Sequence, residues 1–471
     1  MTDVRGNDSR RKVQMKIPPV KGTRDFYPED MARRNWIING WKKVSIRNGF
    51  EEYDGPIFEY LKMYQIKSGD EIVEQLFSLK DRGDRDLAIR PEITPTLARM
   101  VNQQINSLPR PIKWFSVPRL CRAERPQKGR LREFFQWNID IIGEDDVLAD
   151  AEVIFTTVDY LRDVGLTSDD IKVKISSRKL LAAVLKKIGI PESSLDELYG
   201  VLDKKDKVPA ETFREMLSEK IPQADMAAKV GAFMELKSFS DVEKMFGRHG
   251  EVGEALDELA MHHRWLIQMG VGDYCSFEPG IVRGLAYYTG IVFEVHDIVG
   301  DLRAICGGGR YDNLLRDFGG PSIPATGMGM GDCVLEILLR QKGLLGKQMQ
   351  ELDYFVVPVT LSIFNNKTTA LDEAVKLTGE LRKRGYSVEF SYEEIEYEMK
   401  GLDSDDIRTK MTKRPNLGKR LSGASSRNAR KCIIIGDEFK ENKLVVKNMA
   451  SGEQVVVDVD EFLSGLRPKG Q

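Results

Sequence analysis

Cysteine and histidine are scarce in this 471-residue chain, and each scarcity removes a kind of chemistry. The five cysteines, Cys121, Cys275, Cys306, Cys333 and Cys432, are scattered, with no CxxC pair. That spacing excludes a disulfide framework and a thiolate zinc knuckle, and leaves reduced, mostly buried thiols. Of the four histidines, His249, His262, His263 and His296, only His262 and His263 are close in sequence. Adjacent rings on a helix diverge and share a metal poorly, so no metal ligand set is assigned. An excess of charge of one sign is missing too: 71 basic against 73 acidic side chains gives a net charge of −2. Any attraction for nucleic acid must therefore come from local patches. No apolar run reaches the length of a membrane span. The first 17 residues, MTDVRGNDSRRKVQMKI, lack a signal-peptide core, and Asp3 and Asp8 disfavour a mitochondrial presequence. Residues 1–16 read as a disordered polar tail, and a cytoplasmic location is expected.

What is present describes an ordinary globular protein: 41% hydrophobic and 31% charged residues. The length suggests about three domains. The folded part opens at VKGTRDFYPED, where Pro28-Glu29-Asp30 starts a helix that runs to Gly49. EEYDGPIFEYLKMY follows as a strand broken at Pro56. In LAIRPEITPTLARMV, residues 87–101, Leu87–Arg90 reads as a strand end. Thr94 there reads as a helix cap, with Pro95 in the first helical position. From Asp145 the apolar spacing turns helical, a strand IKVKISS intervenes, and short capped helices fill 178–268. PESSLDEL, VPAETFREML and DVEKMFG are three of them, and none holds a catalytic constellation. LAYYTGIVFEV reads as a strand interrupted at Gly290. After QKGLLGKQMQE the pattern resets to alternating strands and helices, which indicates a small α/β domain with a mixed or parallel sheet.

The densest chemistry lies in residues 113–143, KWFSVPRLCRAERPQKGRLREFFQWNIDIIG. Two β-rich arms flank a tip in which Pro126 and Gly129 allow a turn. Alternation puts Arg122 and Glu124 on one face of the first arm, and Arg132, Phe134, Gln136, Asn138 and Asp140 on one face of the second. Between Arg119 and Arg132 stand six basic residues and one carboxylate, Glu124. Fixed cations beside an aromatic ring, amides and carboxylates suit a small polar ligand carrying phosphate. Taken alone, a solvated hairpin edge explains the same charges.

The spacing Arg-x-Glu, loop, Arg-x-Glu-Phe-x-Gln-x-x-x-Asp resembles motif 2 of class II aminoacyl-tRNA synthetases, and in particular the histidyl-tRNA synthetase family. Three further stretches are similar to that family. RPEIT at 90–94 resembles its RPExT signature, whose Glu and Thr hold the substrate's α-ammonium group, a cation that offers only donors. RGLAYYTGIVFE at 283–294 resembles its RGLxYYxxxVFE block, with Ala286 where many relatives have Asp. CGGGRYDNLL at 306–315 resembles its AGGRYDxL element; it is no Walker loop, since no Gly-Lys-Ser/Thr follows, and its glycines let backbone approach a ligand. Read without the resemblance, Glu92 is a solvated loop residue and the tyrosines are strand packing. ATGMGMGDCVLEILLR at 325–340 is similar to motif 3, but Asp332, Cys333 and Val334 stand over the family's Leu-Glu-Arg.

The resemblance implies an α+β catalytic domain on a mixed, mostly antiparallel sheet, with a helical insertion at about 175–268 and a C-terminal α/β anticodon-binding domain. The implied boundaries are 17–345 for the core (motif 1 near 40–60), 346–352 for a linker and 353–471 for the last domain. Nine basic and no acidic residues between Arg408 and Lys431 fit an anticodon surface, or a charged linker. The implied activity is adenylation of L-histidine by ATP, then transfer to the 3′ end of its tRNA, by a homodimer. Carried over residue by residue, Arg122 and Arg283 neutralise the α-phosphate and touch the histidine carboxylate. Glu92, Thr94 and Gln136 hold the ammonium group, Ile93 is a further histidine-binding residue, and Asp140, Tyr287 and Tyr288 hold the imidazole. Glu124, Arg130 and Phe134 hold ATP, Phe134 by stacking on adenine. Gln127, Lys128 and Gly129 meet the tRNA acceptor end. With no motif 3 arginine, Arg130 and the Mg2+ ions carried with ATP are expected to hold the triphosphate. Catalysis by positioning and charge stabilisation also fits the scarcity of histidine. A regulatory subunit of ATP phosphoribosyltransferase that shares this core, binds histidine and charges no tRNA is the alternative.

Overall fold

The strand Glu133–Ile142 shows how the sequence divides the molecule. Phe135, Trp137, Ile139 and Ile141 alternate into the main hydrophobic core, while Phe134, Gln136, Asn138 and Asp140 face a cavity. The computed structural model describes residues 17–66, 76–205, 207–282, 287–345, 351–359, 363–364, 368–391 and 417–469. The chain divides into two compact units, Met1–Gly346 and Lys347–Gln471.

The first unit begins with α1 (Pro28–Arg47), β1 (Glu51–Glu52), β2 (Phe58–Tyr60), α2 (Leu61–Gln65), β3 (Phe77–Lys80), β4 (Asp86–Ile89) and α3 (Thr94–Gln103). Next come β5 (Ile112–Ser116), β6 (Arg119–Cys121), β7 (Glu133–Ile142), α4 (Leu148–Asp163) and β8 (Ile171–Ser177). A run of helices follows: α5 (Arg178–Ile188), α6 (Leu195–Leu202), α7 (Ala210–Lys220), α8 (Ala224–Met234), α9 (Phe239–Phe246) and α10 (Gly250–Gln268). β9 (Cys275–Phe277), β10 (Ile291–Asp297), β11 (Cys306–Arg310), α11 (Leu314–Asp317), β12 (Ala325–Gly331) and α12 (Asp332–Gln341) complete it.

The main sheet runs β1-β5-β7-β12-β11-β10-β8-β9, with β6 also paired to β7. β1·β5 and β8·β9 are parallel and the other pairs antiparallel, so the expected mixed, mostly antiparallel sheet is present. α1 and α4 cover its core face. Trp41 stacks on Trp137 at 6.2 Å and Tyr160 meets Trp137 at 5.5 Å, all three buried. Such aromatic pairs add about 0.5–1.5 kcal/mol beyond their buried area. The indole of Trp137 donates to Ser45 Oγ at 2.8 Å, so its polar edge is satisfied inside the core.

Several local expectations need correction. The first hairpin arm is two strands, β5 and β6, because Pro118 interrupts the ladder and offers only its carbonyl, to Gln136 N. Thr94 begins α3 without capping it; Ile93 holds the cap position with no side-chain bond. Of the described part of LAYYTGIVFEV, from Tyr287 on, only the residues beyond Gly290 form a strand, β10. Of the three short helices expected to be capped, only α9 has a side-chain cap, Ser238 accepting from Asp241 N; α6 and α7 have none.

The second unit is a five-stranded mixed sheet, β16-β13-β17-β18-β19. Its elements are β13 (Leu352–Pro358), β14 (Ile363–Phe364), β15 (Thr368–Thr369), α13 (Ala370–Lys383), β16 (Val388–Phe390), α14 (Leu417–Ser426), β17 (Ala429–Ile435), β18 (Lys443–Asn448), β19 (Gln454–Asp458) and α15 (Val459–Ser464). Thr369 and Asp372 form a capping box that starts α13. Of the basic stretch 408–431, residues 408–416 lie outside the described residues. Arg420 is buried and donates to Pro358 O, and Arg430 pairs with Glu351 at 2.6 Å. Part of that basicity therefore holds this unit together.

Candidate active site

The cavity on the open face of the main sheet has a volume of about 1490 Å³. Its floor is nearly bare main chain. β11 and β12 run antiparallel with Gly308 opposite Met328 and Gly309 opposite Gly327. A Cβ on Gly327 would strike the Asp140 carboxylate and lie 2.7 Å from Ile139 O; one on Gly329 would lie 2.9 Å from the Gln136 amide. Only glycine allows the side chains of β7 to lie across this strand.

Around the floor the strands bring together residues far apart in sequence. Glu92, Thr94, Gln136, Asp140, Tyr287 and Tyr288 line the cavity, with Arg122, Glu124, Arg130 and Phe134 beside them. Gln127 and Gly129 line it at the hairpin tip, where Gln127 and Arg130 exchange backbone hydrogen bonds of 2.9 Å and Gly129 takes φ +74°. Three expected residues do not line it. Ile93 is fully buried in the core beneath, Lys128 is exposed at the tip, and Arg132 turns away to donate to Glu124 O at 3.1 Å. Arg283 and Ala286 lie outside the described residues.

The electrostatics divide the cavity in two. At one end Arg122 is held by Pro91 O at 3.0 Å and lies 5.1 Å from the centre of the Phe134 ring. Glu124 pairs with Arg130. Burial raises the Glu92 carboxyl above its ordinary value, and the nearby Arg122 charge pulls it back. At the other end Asp140 is buried among aromatic rings. Burial pushes its pKa up to about 7, against the opposing hydrogen bond from Tyr311. The Tyr311 hydroxyl donates to Asp140 Oδ1, whereas the buried Oδ2 has no partner among the described residues. Burial and the Asp140 charge raise the Tyr311 pKa well above its usual value, so it stays a donor. Tyr311 also meets Tyr287 edge-on at 5.8 Å, and Tyr287 lies 5.0 Å from Tyr288.

Sequence reasoning missed Tyr311 as a contributor. The 306–315 element resembles one that lines the family's pocket, but no role is assigned to its tyrosine, and only the pairing of β11, β12 and β7 brings it to Asp140. It also missed the cavity's basic extension, where Lys172 and Lys174 of β8 and Arg303 line the wall. Alternation along IKVKISS was the available signal. The neighbouring Arg310 is structural: it is buried, donates to Asp150 at 2.6 and 2.8 Å, and bonds Glu144 O and Asp146 O.

A mostly antiparallel sheet with an arginine-bearing hairpin set against glycine strands is the architecture of the class II aminoacyl-tRNA synthetases. Comparison with known proteins narrows this. Residues 22–331 match the family described as Histidyl-tRNA synthetase, and residues 353–469 match the family described as Anticodon binding domain. The chain is 37% identical over 456 residues to a chloroplastic/mitochondrial histidine–tRNA ligase of Arabidopsis thaliana, covering 97% of this chain and 87% of that one. It is 35% identical to a histidine–tRNA ligase of Opitutus terrae, covering 94% and 98%. A crystal structure of histidyl-tRNA synthetase from Nostoc sp. PCC 7120 superposes with a TM-score of 0.76 at 22% identity, covering 96% and 99%. The chain belongs to the histidyl-tRNA synthetase family.

Proposed function

We propose that this chain is a histidine–tRNA ligase that joins L-histidine to ATP as histidyl-adenylate and then to the 3′ end of its tRNA. The observation that carries this reading is the buried Asp140 Oδ2. Among the described residues it is an acceptor with no protein partner, at the aromatic end of a cavity whose other end holds Arg122 and Arg130. An imidazole N–H satisfies that acceptor, and analogues without one leave it stranded. A site of this kind discriminates by roughly 10⁴ or more, so no editing domain is required.

In the first step the histidine carboxylate attacks the α-phosphorus, the bond to the β-phosphate oxygen breaks, and pyrophosphate leaves. Arg122 neutralises the charge that develops on the α-phosphate. Arg283 joins it by the family resemblance. Phe134 stacks on adenine, and Glu124 accepts from the adenine amino group. Arg130 must then exchange its Glu124 contact for the triphosphate, which arrives with its Mg2+ ions. Glu92, Thr94 and Gln136 hold the ammonium group, and Tyr287 and Tyr288 close the imidazole pocket. In the second step a terminal ribose hydroxyl of the tRNA attacks the carbonyl carbon and AMP departs. Gln127, Lys128 and Gly129 meet the acceptor end, while Lys172, Lys174 and Arg303 offer cations to its backbone.

The C-terminal unit reads the anticodon. A homodimer is supported by the sheet β2-β4-β3, which leaves Ile57, Phe58, Tyr60 and Leu79 exposed. A cytoplasmic location is compatible with the described helices, none of which is long and apolar enough to cross a membrane. The test is histidine-dependent ATP–pyrophosphate exchange with the other amino acids as controls. Exchange with histidine alone supports the reading. Histidine binding without exchange would instead favour a regulatory subunit.

A further inference from the structure

Asp332, Cys333 and Val334 replace the expected Leu-Glu-Arg, and the contacts of Asp332 and Val334 show what this triplet does instead. β12 ends at Gly331, opposite Gln136 of β7. Beyond that point the side chain of Asp332 continues the ladder: its Oδ1 accepts the Phe135 N–H at 3.0 Å. Its Oδ2 accepts from Arg24 Nη2 at 2.6 Å, and the Arg24 guanidinium also lies 3.8 Å from Glu336, one turn further along α12. The segment carrying Arg24 is itself bound to the hairpin. Gly22 O accepts from Arg132 N at 2.8 Å, and Arg34 lies 5.2 Å from the Phe26 ring and 4.9 Å from the Phe135 ring. Val334 sits beneath the hairpin tip, so close that a Cβ on Gly129 would come within 3.0 Å of its methyl group.

We propose that Arg24, Asp332 and Val334 form a buttress that holds the 122–134 hairpin in its ATP-binding pose, with Arg24 a positioning residue for the nucleotide. This rests on the reading of the cavity as the ATP and histidine site. Three points of the hairpin are fixed: its tip at Gly129, its return at Arg132 and the base of its second arm at Phe135. Arg130 and Phe134 lie between those points. Asp140 lies five residues further along β7, where β5 and β12 pair on both sides. Loosening the buttress therefore misplaces Arg130 and Phe134, both assigned to ATP, and leaves Asp140 fixed, with Arg122 still held by its separate bond to Pro91 O. Asp332 is buried, so losing Arg24 leaves its charge uncompensated, unlike the loss of a surface ion pair.

The test is ATP–pyrophosphate exchange on the full chain, varying ATP and histidine separately, with Arg24→Ala, Arg24→Lys and Asp332→Asn beside the wild type. In Arg24→Ala the KM for ATP is expected to rise on the order of tenfold, with the KM for histidine within about twofold and partial recovery in Arg24→Lys. Asp332→Asn keeps an acceptor for Phe135 N–H but loses the ion pair, and shifts the same constant in the same direction. If Arg24→Ala does not fold, the other two variants decide. An unchanged KM for ATP, equal rises for both substrates, or a fall in kcat alone would overturn the buttress. Thermal shift with ATP alone separates this from the parent reading. A wild type that binds ATP without exchange refutes the ligase, and the buttress then stands or falls on whether the variants lose the ATP shift. A wild type showing neither overturns both.

Discussion

Replacing Asp140 by Asn separates what this carboxylate does for histidine from what it costs the fold. The amide keeps the shape and an oxygen for the Tyr311 hydroxyl, but it removes the charge that Oδ2 offers to an imidazole N–H. A hydrogen bond to a charged group is worth about 1.5–3 kcal/mol, so kcat/KM for histidine should fall roughly 10–150-fold with the KM for ATP unchanged. The folded protein should respond in the opposite sense. Burial lifts the Asp140 pKa from 3.8 to about 7, so between those pH values the folded state binds a proton that the unfolded chain has released. Stability contributed by this group therefore falls as pH rises through that window, by about 1.4 kcal/mol per pH unit. At pH 8 the empty pocket carries a cost of up to roughly 4 kcal/mol, which the neutral amide avoids. Asp140→Asn should accordingly melt above the wild type at pH 8, with the gap closing towards pH 5. The wild-type kcat/KM for histidine should rise with pH through about 7, a dependence that the variant loses apart from the substrate's own titration. Pyrophosphate exchange and melting curves across pH 5–9 measure both. A variant that keeps its histidine kcat/KM within about threefold would refute the reasoning.

Arg130→Ala should raise the KM for ATP by about tenfold or more, and an unchanged ATP requirement would show that Arg130 does not carry the triphosphate. Gly327→Ala should abolish histidine-dependent exchange and cost about 1–3 kcal/mol of stability, because its new methyl meets Asp140 and the Ile139 carbonyl; calorimetry and exchange together read this. Arg310→Ala should destabilise the first unit by about 3–5 kcal/mol in urea titration, since it leaves Asp150 buried without its cation.

The hairpin wall of the candidate site was legible because it lies on local alternation, whereas Glu92, Thr94, Tyr287 and Tyr288 stood out only through the family resemblance. β7 presents Phe134, Gln136 and Asp140 on one face for the plain reason that strand side chains alternate. Arg122 and Glu124 reach the cavity although the strand before them stops at Cys121, because Arg122 N still bonds Arg132 O. What stayed hidden depends on pairing between distant segments. Tyr311 reaches Asp140 across β12, and Arg24 reaches Asp332 over 308 residues. Arg132 kept the expected strand parity but was drawn off by two carbonyls, Glu124 O and Lys21 O. Thr94 had the composition of a cap, yet the helix begins one residue earlier than that role requires. The Asp332–Val334 triplet looked like a loss when judged by the family pattern, because sequence comparison records the missing arginine and not the contacts that replaced it.

The glycine floor also sets a direction for redesign. A pocket bounded by side chains can be enlarged by trimming them, but where β11 and β12 are already bare main chain there is nothing left to trim. Substitution there can only shrink the cavity. A variant made to accept a bulkier amino acid must gain its space from side chains, such as Tyr287, Tyr288 or Tyr311, and Tyr311 already holds the carboxylate to which the proposed function assigns the imidazole. On that proposal, room and recognition are drawn from the same few side chains, and widening the pocket should weaken its hold on imidazole.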